Sequence, residues 1–299
     1  MSVKDLRQTL SFILNHPATR KSRWAAFWRF AGWQFESRIF RHPVIYPFVE
    51  KSKIIVQGGM TGATGNIYTG LHEFEEMMFL LHLLRPADLF ADVGANVGSY
   101  TILASSVAGA GSISFEPLPA TFLHLKNNAA INNMESLVEL YNCGVGNKKD
   151  KLRFTSGFDT MNHVITGSSD SISGTVEVDV VRLDDILGER TPALMKIDTE
   201  GFEMAVLQGA ASVLRHSSLL AIIIELNGCC HRYGVQEQDI HELITGYGFL
   251  PVSYDPFRRC CSKESTFNQG GNTIYMRNEK EVEKRLQAAR KYQVLDQAI

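Results

Sequence analysis

Apolar runs of strand length that end in an acid recur along this chain, with helical periodicities between them. Phe90 to Val93 is the first such run; it carries Asp92 at its end, breaks into a glycine turn and resumes with helical character from Ser99. Ser112 to Phe115 ends at Glu116 and Pro117, Ala120 to Asn132 reads as a helix and Leu137 to Cys143 as a strand, which completes a β-α-β-α-β half. Leu194 to Ile197 ends in Asp198, turns at Thr199-Glu200-Gly201 and leads into a helix from Phe202 to Leu214. The run Leu220 to Ile224 is apolar throughout, as a strand buried on both faces requires. Gln236 to Tyr247 predicts a further helix, and Phe249 to Tyr254 with Asn272 to Met276 predicts a closing pair of strands. The loop between them, Asp255 to Gly271, is expected to cover the carboxyl edge of the sheet, and Glu279 to Gln293 to form a charged terminal helix. Lys151 to Thr155 and Thr175 to Leu183 alternate like half-buried strands around a polar stretch holding Gly157, Asp159, Asn162, His163 and a Ser/Gly/Asp tract. Lys151 to Arg182 is therefore read as a small antiparallel excursion.

Upstream of the first acid-ended strand, Phe74, Met77, Met78, Leu81 and Leu84 share one side of a helix from His72 to Arg85, which Pro86 stops. Residues 54–71 begin as a strand and become rich in glycine and threonine, the composition of a loop or hairpin. From Thr19 to His42, Trp24, Phe27, Trp28, Ala31, Phe35 and Ile39 fall on one helical face with Arg23, Arg29 and Arg41 on others. Phe30, Trp33 and Phe40 blur that stripe, so the helix is expected to pack on the core or on a second subunit; resting on an anionic membrane is the rival expectation. The whole predicts an α/β fold: a doubly wound Rossmann-like sheet of seven strands, mostly parallel with an antiparallel last strand. A basic, aromatic helical extension occupies 1–52, the main domain 53–278 and a C-terminal helix 279–299.

Composition narrows the function classes. With 299 residues and 44% apolar content the chain can bury a sizeable core. A net charge of -2 offers no global basic field for a phosphate backbone, so nucleic acid is not an expected partner. The five cysteines are Cys143 and the adjacent pairs Cys229-Cys230 and Cys260-Cys261, without C-x-x-C spacing. That pattern suits neither a disulfide framework nor a zinc site and suggests a reducing compartment. No apolar run is long enough to span a bilayer, and Lys4, Asp5 and Arg7 fall where a signal peptide needs its apolar segment. A cytoplasmic, at most membrane-peripheral, protein is expected.

The chemistry is carried by the strand ends. Asp92 to Gly98 reads D-x-G-x-N-x-G, which departs from the dinucleotide pattern G-x-G-x-x-G in its leading acid and its asparagine. A carboxylate on the loop repels phosphates and suits a ligand with an ammonium or sulfonium charge. Glu116, at the end of the next strand, lies where doubly wound folds place an acid on ribose hydroxyls. Acid, glycine turn, then acid suggests S-adenosylmethionine. Asp92, Glu116, Asp198, Glu200 and Glu225 should converge on one rim, and their crowding should raise at least one pKa.

DVGANVGSY, the Phe115-Glu116-Pro117 step, the KIDTEGFE run and the later IIIEL strand together resemble the FkbM family of S-adenosylmethionine-dependent methyltransferases, of the class I fold, over about Glu73 to Met276. The resemblance implies methyl transfer to a hydroxyl, often of a sugar in a glycan or glycolipid, or of a polyketide. It implies that Asp92, Gly94, Asn96 and Gly98 hold the amino acid part of the cofactor, and that Glu116, followed by Pro117, holds the ribose. Asn142 and Cys143 would lie by the adenine, although class I enzymes frequently present an acid there. Glu73 would reach the same loop, and Lys196, Asp198 and Glu200 would face the reacting methyl. No resident metal is expected; a divalent ion on Asp198 and Glu225 is the alternative. His163 and His231 are further bases in loops, read as surface imidazoles. Candidate partners are a small-molecule or glycan acceptor, a membrane surface through 19–42 and a second copy of the chain. Amino-methylating enzymes of nucleic acids carry an N/D-P-P-Y/F turn that is absent here, whereas a non-catalytic docking module remains a rival.

Overall fold

The computed structural model describes residues 3–39, 42–155, 164 and 175–299. Arg41, Gly157, Asp159, Asn162, His163 and the Ser/Gly/Asp tract lie outside the described residues.

Among the described residues the centre is one sheet of eight strands rather than the seven predicted. In chain order these are β1 (Leu89–Val93), β2 (Gly111–Phe115), β3 (Val138–Tyr141), β4 (Leu194–Ile197), β5 (Ala221–Leu226), β6 (Leu250–Asp255), β7 (Cys260–Lys263) and β8 (Gly271–Met276). Their spatial order is β7-β6-β8-β5-β4-β1-β2-β3. Strands β1 to β5 run parallel, and β8 runs antiparallel to both β5 and β6. The additional strand, β7, forms a hairpin with β6 inside the segment expected to be loop, pairing Val252 with Lys263 through Asp255 with Cys260. It alternates too weakly to be visible in sequence, because as an edge strand it leaves Ser262 and Lys263 exposed.

The chain leaves β1 outward through β2 and β3 and then crosses to the other side for β4. The gap between the carboxyl ends of β1 and β4 is thus the topological switch point, where ligands of open α/β sheets sit. Alternation sends Phe90, Leu194 and Ile223 into one core layer and Ala91, Met195, Ile197, Ile222 and Ile224 into the other. That is why these strands are apolar without a break.

Helices cover both faces. α1 (Val3–Asn15), α2 (Arg23–Ile39), α3 (Thr61–Thr69), α4 (Phe74–Leu83), α5 (Ser99–Ile102) and α6 (Pro119–Ile131) come first, with a hairpin of Val44–Pro47 on Lys53–Val56 between α2 and α3. α7 (Leu183–Leu187), α8 (Glu203–Gln208), α9 (Ala211–Arg215), α10 (Glu237–Gly246) and α11 (Glu279–Ala288) follow. The excursion is a three-stranded sheet in which Asp150–Thr155 pairs antiparallel with Thr175–Val181 and Gly144–Val145 adds on parallel.

Four local expectations fail for tertiary reasons. Thr61–Thr69 is helix, not loop, because the packing that buries it outweighs glycine's poor propensity; Gly65 is required there, since a Cβ would stand 2.3 Å from the His72 ring. The helix expected from Phe202 to Leu214 is two helices. It breaks at Gly209, whose Cβ would meet the Gly146 carbonyl oxygen at 2.0 Å, and Asp184 restarts it by accepting the amides of Ser212 and Val213. The C-terminal helix stops at Ala288, and Gln293–Val294 pairs with Gln297–Ala298 in its place. Finally, α2 is inverted. Ala26, Phe30 and Trp33 enter the core together with Ile13 of α1, while Trp24, Trp28, Phe35 and Ile39 face outward.

Candidate active site

The glycine turn after β1 is built by its own backbone and by the neighbouring strand end. Gly94 and Ala95 donate their amides to the Phe115 carbonyl, and the amide of Asn96, itself left-handed at φ 52°, donates to Glu116 Oε2 at 3.0 Å. The second oxygen of Glu116 accepts the Leu118 amide at 2.9 Å, so one carboxylate ties the turn to the start of α6. Gly94 sits at φ 83°, in the left-handed region. A Cβ would lie 1.8 Å from the carbonyl oxygen of Asp198, so the close approach that demands glycine is with the loop after β4.

A cavity of about 360 Å³ opens at this switch point, within the range of about 300–1,000 Å³ usual for small-molecule sites. Of the residues singled out in the sequence, Glu73, Asp92, Gly94, Asn96, Glu116, Pro117, Cys143, Lys196, Asp198, Glu200 and Glu225 line it. Gly98 and Asn142 do not. Gly98 packs against Leu125, whose Cδ1 a Cβ would meet at 2.5 Å. The Asn142 amide donates to the carbonyls of Glu116 and Pro117 at 2.9 Å each, clipping the end of β2 to that of β3. His231 is exposed in the turn Cys229–Tyr233 and stands apart from the cavity.

Among the described residues, six carboxyl groups and one ammonium therefore share this cavity. Asp92 is buried with the Thr101 hydroxyl donating to its Oδ2 at 2.7 Å. Burial pushes its pKa up to about 6, with Thr101 and Lys196 working against the shift. Burial likewise raises Glu116 to about 7, although the Leu118 and Asn96 amides favour its charged form. Register places Lys196 directly beside Asp92 on adjacent strands, and its Nζ donates to Asp198 Oδ2 at 2.7 Å while lying 4.8 Å from the centre of the Tyr100 ring. Burial opposes the Lys196 charge, but Asp198, Glu73 and Asp92 hold it protonated well above the ordinary lysine range. Burial would also raise Asp198; Lys196 overrides it and keeps that carboxylate below its usual range. Beyond it, Glu225 is pushed up to about 9 by burial and by the charge of Asp198, with which it shares a hydrogen bond. At neutral pH Glu225 is the donor of that bond. The expected crowding of acids thus falls hardest on Glu225.

Glu200 lies at φ 53°, a left-handed conformation uncommon outside glycine, asparagine and aspartate. Its Oε2 accepts from Asn227 Nδ2 at 3.3 Å, and burial together with Asp198 raises its pKa. It does not cap α8. Glu203 secures that turn instead: its Oε1 accepts the Thr199 amide, the Thr199 hydroxyl and the Gly201 amide at 2.9 to 3.1 Å. Glu203 belongs to the KIDTEGFE run, and its burial is what the sequence did not disclose. Tyr100 closes the DVGANVGSY motif, and its position there gave it no role; its hydroxyl donates to Glu73 Oε2 at 2.6 Å, and Asn272 donates to the other Glu73 oxygen at 2.6 Å. Asn66 lines the cavity from a stretch read as loop and His72 from the first position of the predicted helix, and no sequence signal marked either.

Residues 92–251, just over half of the chain, match the family described as the methyltransferase FkbM domain. Over 149 residues the chain is 33% identical to Methyltransferase 1 of Beauveria bassiana (strain ARSEF 2860), covering 42% of this chain but only 59% of that protein. It is 27% identical over 218 residues to the 31-O-demethyl-FK506 methyltransferase FkbM of Streptomyces tacrolimicus, covering 60% of this chain and 80% of that one. The hexuronic acid methyltransferase AglP of Haloferax volcanii is 26% identical over 176 residues, with coverage of 58% and 68%. Among solved structures, the precorrin-6y C5,15-methyltransferase of Geobacter metallireducens GS-15 superposes with a TM-score of 0.40 at 12% identity, covering 69% of this chain and 88% of that one. The match over 92–251 takes in the glycine turn after β1 and the acid-ended strand β4, and by it the chain belongs to the FkbM methyltransferase family.

Proposed function

We propose that the chain is an S-adenosylmethionine-dependent O-methyltransferase acting on a hydroxyl of a sugar in a glycan, a glycolipid or a related natural product. The observation that carries the reading is a single cavity in which a glycine turn, an acid at each of two adjacent strand ends and a Lys-Asp-Glu cluster face one another. Its charge fits a cofactor bearing an ammonium and a sulfonium and disfavours one bearing phosphates. When bound, S-adenosylmethionine supplies an activated methyl group that leaves a neutral thioether behind. Glu116 would hold the ribose, the turn at Asp92 to Asn96 the amino acid part, and Pro117, Leu118 and Cys143 the apolar wall by the adenine. The hexuronic acid named for AglP and the 31-O-demethyl-FK506 named for FkbM support an oxygen acceptor on a sugar or a natural product.

Glu200 is the group we assign to take the hydroxyl proton. It is ionisable, lines the cavity and has a pKa raised toward neutrality, which suits a general base better than the clamped Asp198. The Lys196-Asp198 pair orients the acceptor hydroxyl, and Glu225 keeps its proton. Asp198, Glu200 and Glu225 also offer three carboxylate oxygens within 4.8 Å of one another, which gives a second, metal-assisted reading. Lys196 already neutralises Asp198, so activity is expected to survive chelation; activity abolished by chelator and restored by a divalent ion would select the metal-assisted reading. Calorimetry with S-adenosylmethionine and S-adenosylhomocysteine, followed by transfer of labelled methyl to polysaccharide and glycolipid extracts, tests the proposal. Absence of binding to both cofactors would overturn it.

Glu116 links the reading to pH. Its folded pKa lies above the unfolded carboxyl value of about 4, so its contribution favours the fold below that value and is lost as pH rises through about 7. The Tm of Glu116→Gln should therefore gain on the wild type as pH rises from about 4 to about 7 and hold that gain at higher pH. In the same variant the KM for the cofactor should rise with kcat nearly unchanged, as loss of uniform binding requires. An unchanged KM alongside a collapsed kcat would contradict the ribose role.

A further inference from the structure

The outward face of α2 is its most apolar face, which is the reverse of a solvated surface helix. Trp24, Trp28, Phe35 and Ile39 are 79%, 68%, 68% and 54% exposed. Their spacing of four, seven and four residues keeps them in one line along the helix, opposite the buried Ala26, Phe30 and Trp33. Two of the three tryptophans of the chain stand in that line, and Ile45, just beyond the helix, is another large apolar side chain left in solvent. Around the ridge, Arg20, Lys21 and Arg23 are exposed at the entry to α2 and Arg38 at its end. Among the described residues none of these four has a carboxylate within ion-pair distance. The acids nearby are otherwise engaged: Glu36 accepts the Tyr46 hydroxyl, and Asp296 accepts the Ser22 hydroxyl at 3.3 Å. No described helix is long and apolar enough to cross a membrane.

We propose that this face of α2 docks on an anionic lipid bilayer, with the ridge entering the headgroup boundary and Arg20, Lys21, Arg23 and Arg38 meeting acidic headgroups. The chemistry of the ridge and its rim selects this occupant. Tryptophan and phenylalanine in line suit an interface that is apolar below and wet above, and unpaired cations at both ends match a negative surface. The inner side of the same helix packs on α3, with the Phe30 and Tyr68 rings 5.3 Å apart and Arg29 Nε donating to the Tyr68 carbonyl at 3.1 Å. α3 in turn lends Ala63 and Asn66 to the cavity. A docked surface would thus lie one helix layer from the site.

The test is sedimentation of the full chain with vesicles of phosphatidylcholine, with and without phosphatidylglycerol, at rising salt. Binding is expected only with the acidic lipid, and it should weaken with salt. Trp24→Ser/Trp28→Ser should lower the partition coefficient at least ~10-fold, the scale of two large apolar side chains withheld from the interface. Both variant positions are exposed, so Tm and cofactor binding should hold. If the serine variant fails to fold, Arg23→Glu/Arg38→Glu carries the same test through loss of the acidic-lipid preference. Binding to no vesicle, equal binding to neutral vesicles, or binding that neither variant weakens would overturn the proposal. So would a concentration-dependent dimer in sedimentation velocity that the serine variant abolishes, because the ridge would then belong to a second copy.

Discussion

Glu200→Gln is expected to lower kcat at least ~100-fold, the lower end of what a general base contributes, while leaving cofactor affinity within a factor of a few. The structure separates this residue from its neighbour Glu203, which a sequence reading cannot. Among the described residues Glu200 accepts only from Asn227 and the Cys229 thiol, and it faces the cavity, so its loss removes chemistry and little structure. Glu203 is buried and holds three donors of the Thr199-Gly201 turn on one oxygen. Glu203→Ala should therefore lower Tm, the loss being on the order of 2 kcal/mol or more because buried amides lose a charged acceptor. Thermal melts and steady-state kinetics on the pair decide the assignment. A Glu200→Gln enzyme that melts early yet methylates at the wild-type rate would make Glu200 a structural residue and move the base to Asp198.

Gly94→Ala should abolish cofactor binding with a loss of stability of several kcal/mol, a large change for one methyl group. Two effects add. The φ of 83° lies in the left-handed region, which costs an alanine roughly 1–2 kcal/mol relative to glycine. The larger effect is the carbonyl oxygen of Asp198, only 1.8 Å from the new Cβ and belonging to backbone that cannot rotate away. That backbone is held in turn, since the Asp198 amide donates to the Val93 carbonyl at 2.9 Å. Relief must part the ends of β1 and β4, the walls of the cavity. Calorimetry and a denaturant melt check this, and a folded Gly94→Ala protein with normal cofactor affinity would show that the two loops yield independently of the site. Gly109 is the control, because it is also at positive φ but a Cβ there would meet nothing nearer than 3.6 Å: Gly109→Ala should carry the backbone penalty alone.

Much of the site was legible along the chain because its signals are local. A strand buried on both faces must be apolar, a polar ligand must be met where that strand ends, and a tight turn there must contain glycine. Asp92, Glu116, Asp198 and Glu225 could therefore be placed on one rim from the order of residues alone, and all four line one cavity. Lys196 and Asp198 stand two positions apart, which period-two alternation sends to the same side of a strand, and they pair at 2.7 Å. Asn142 departs from its expected role for a related reason: its position beyond the third strand was right, but whether an amide faces a cavity or clips two carbonyls depends on the neighbouring chain.

Tertiary structure alone decided the matters that depend on a competing partner. Periodicity in α2 identified an apolar stripe but could not say that Phe30 and Trp33, off that stripe, would be the residues buried, because both sides of the helix are apolar and only the shape of the core chooses between them. A glycine-rich stretch became α3 because its burial outweighs its propensity, and one predicted helix became two because Gly146 and Asp184 lie against it. The reason for Gly94 belongs to the same class. Sequence shows that a glycine is wanted after an acid-ended strand, but that its missing side chain makes room for the Asp198 carbonyl is a distance between residues about a hundred positions apart, which only the folded chain brings together.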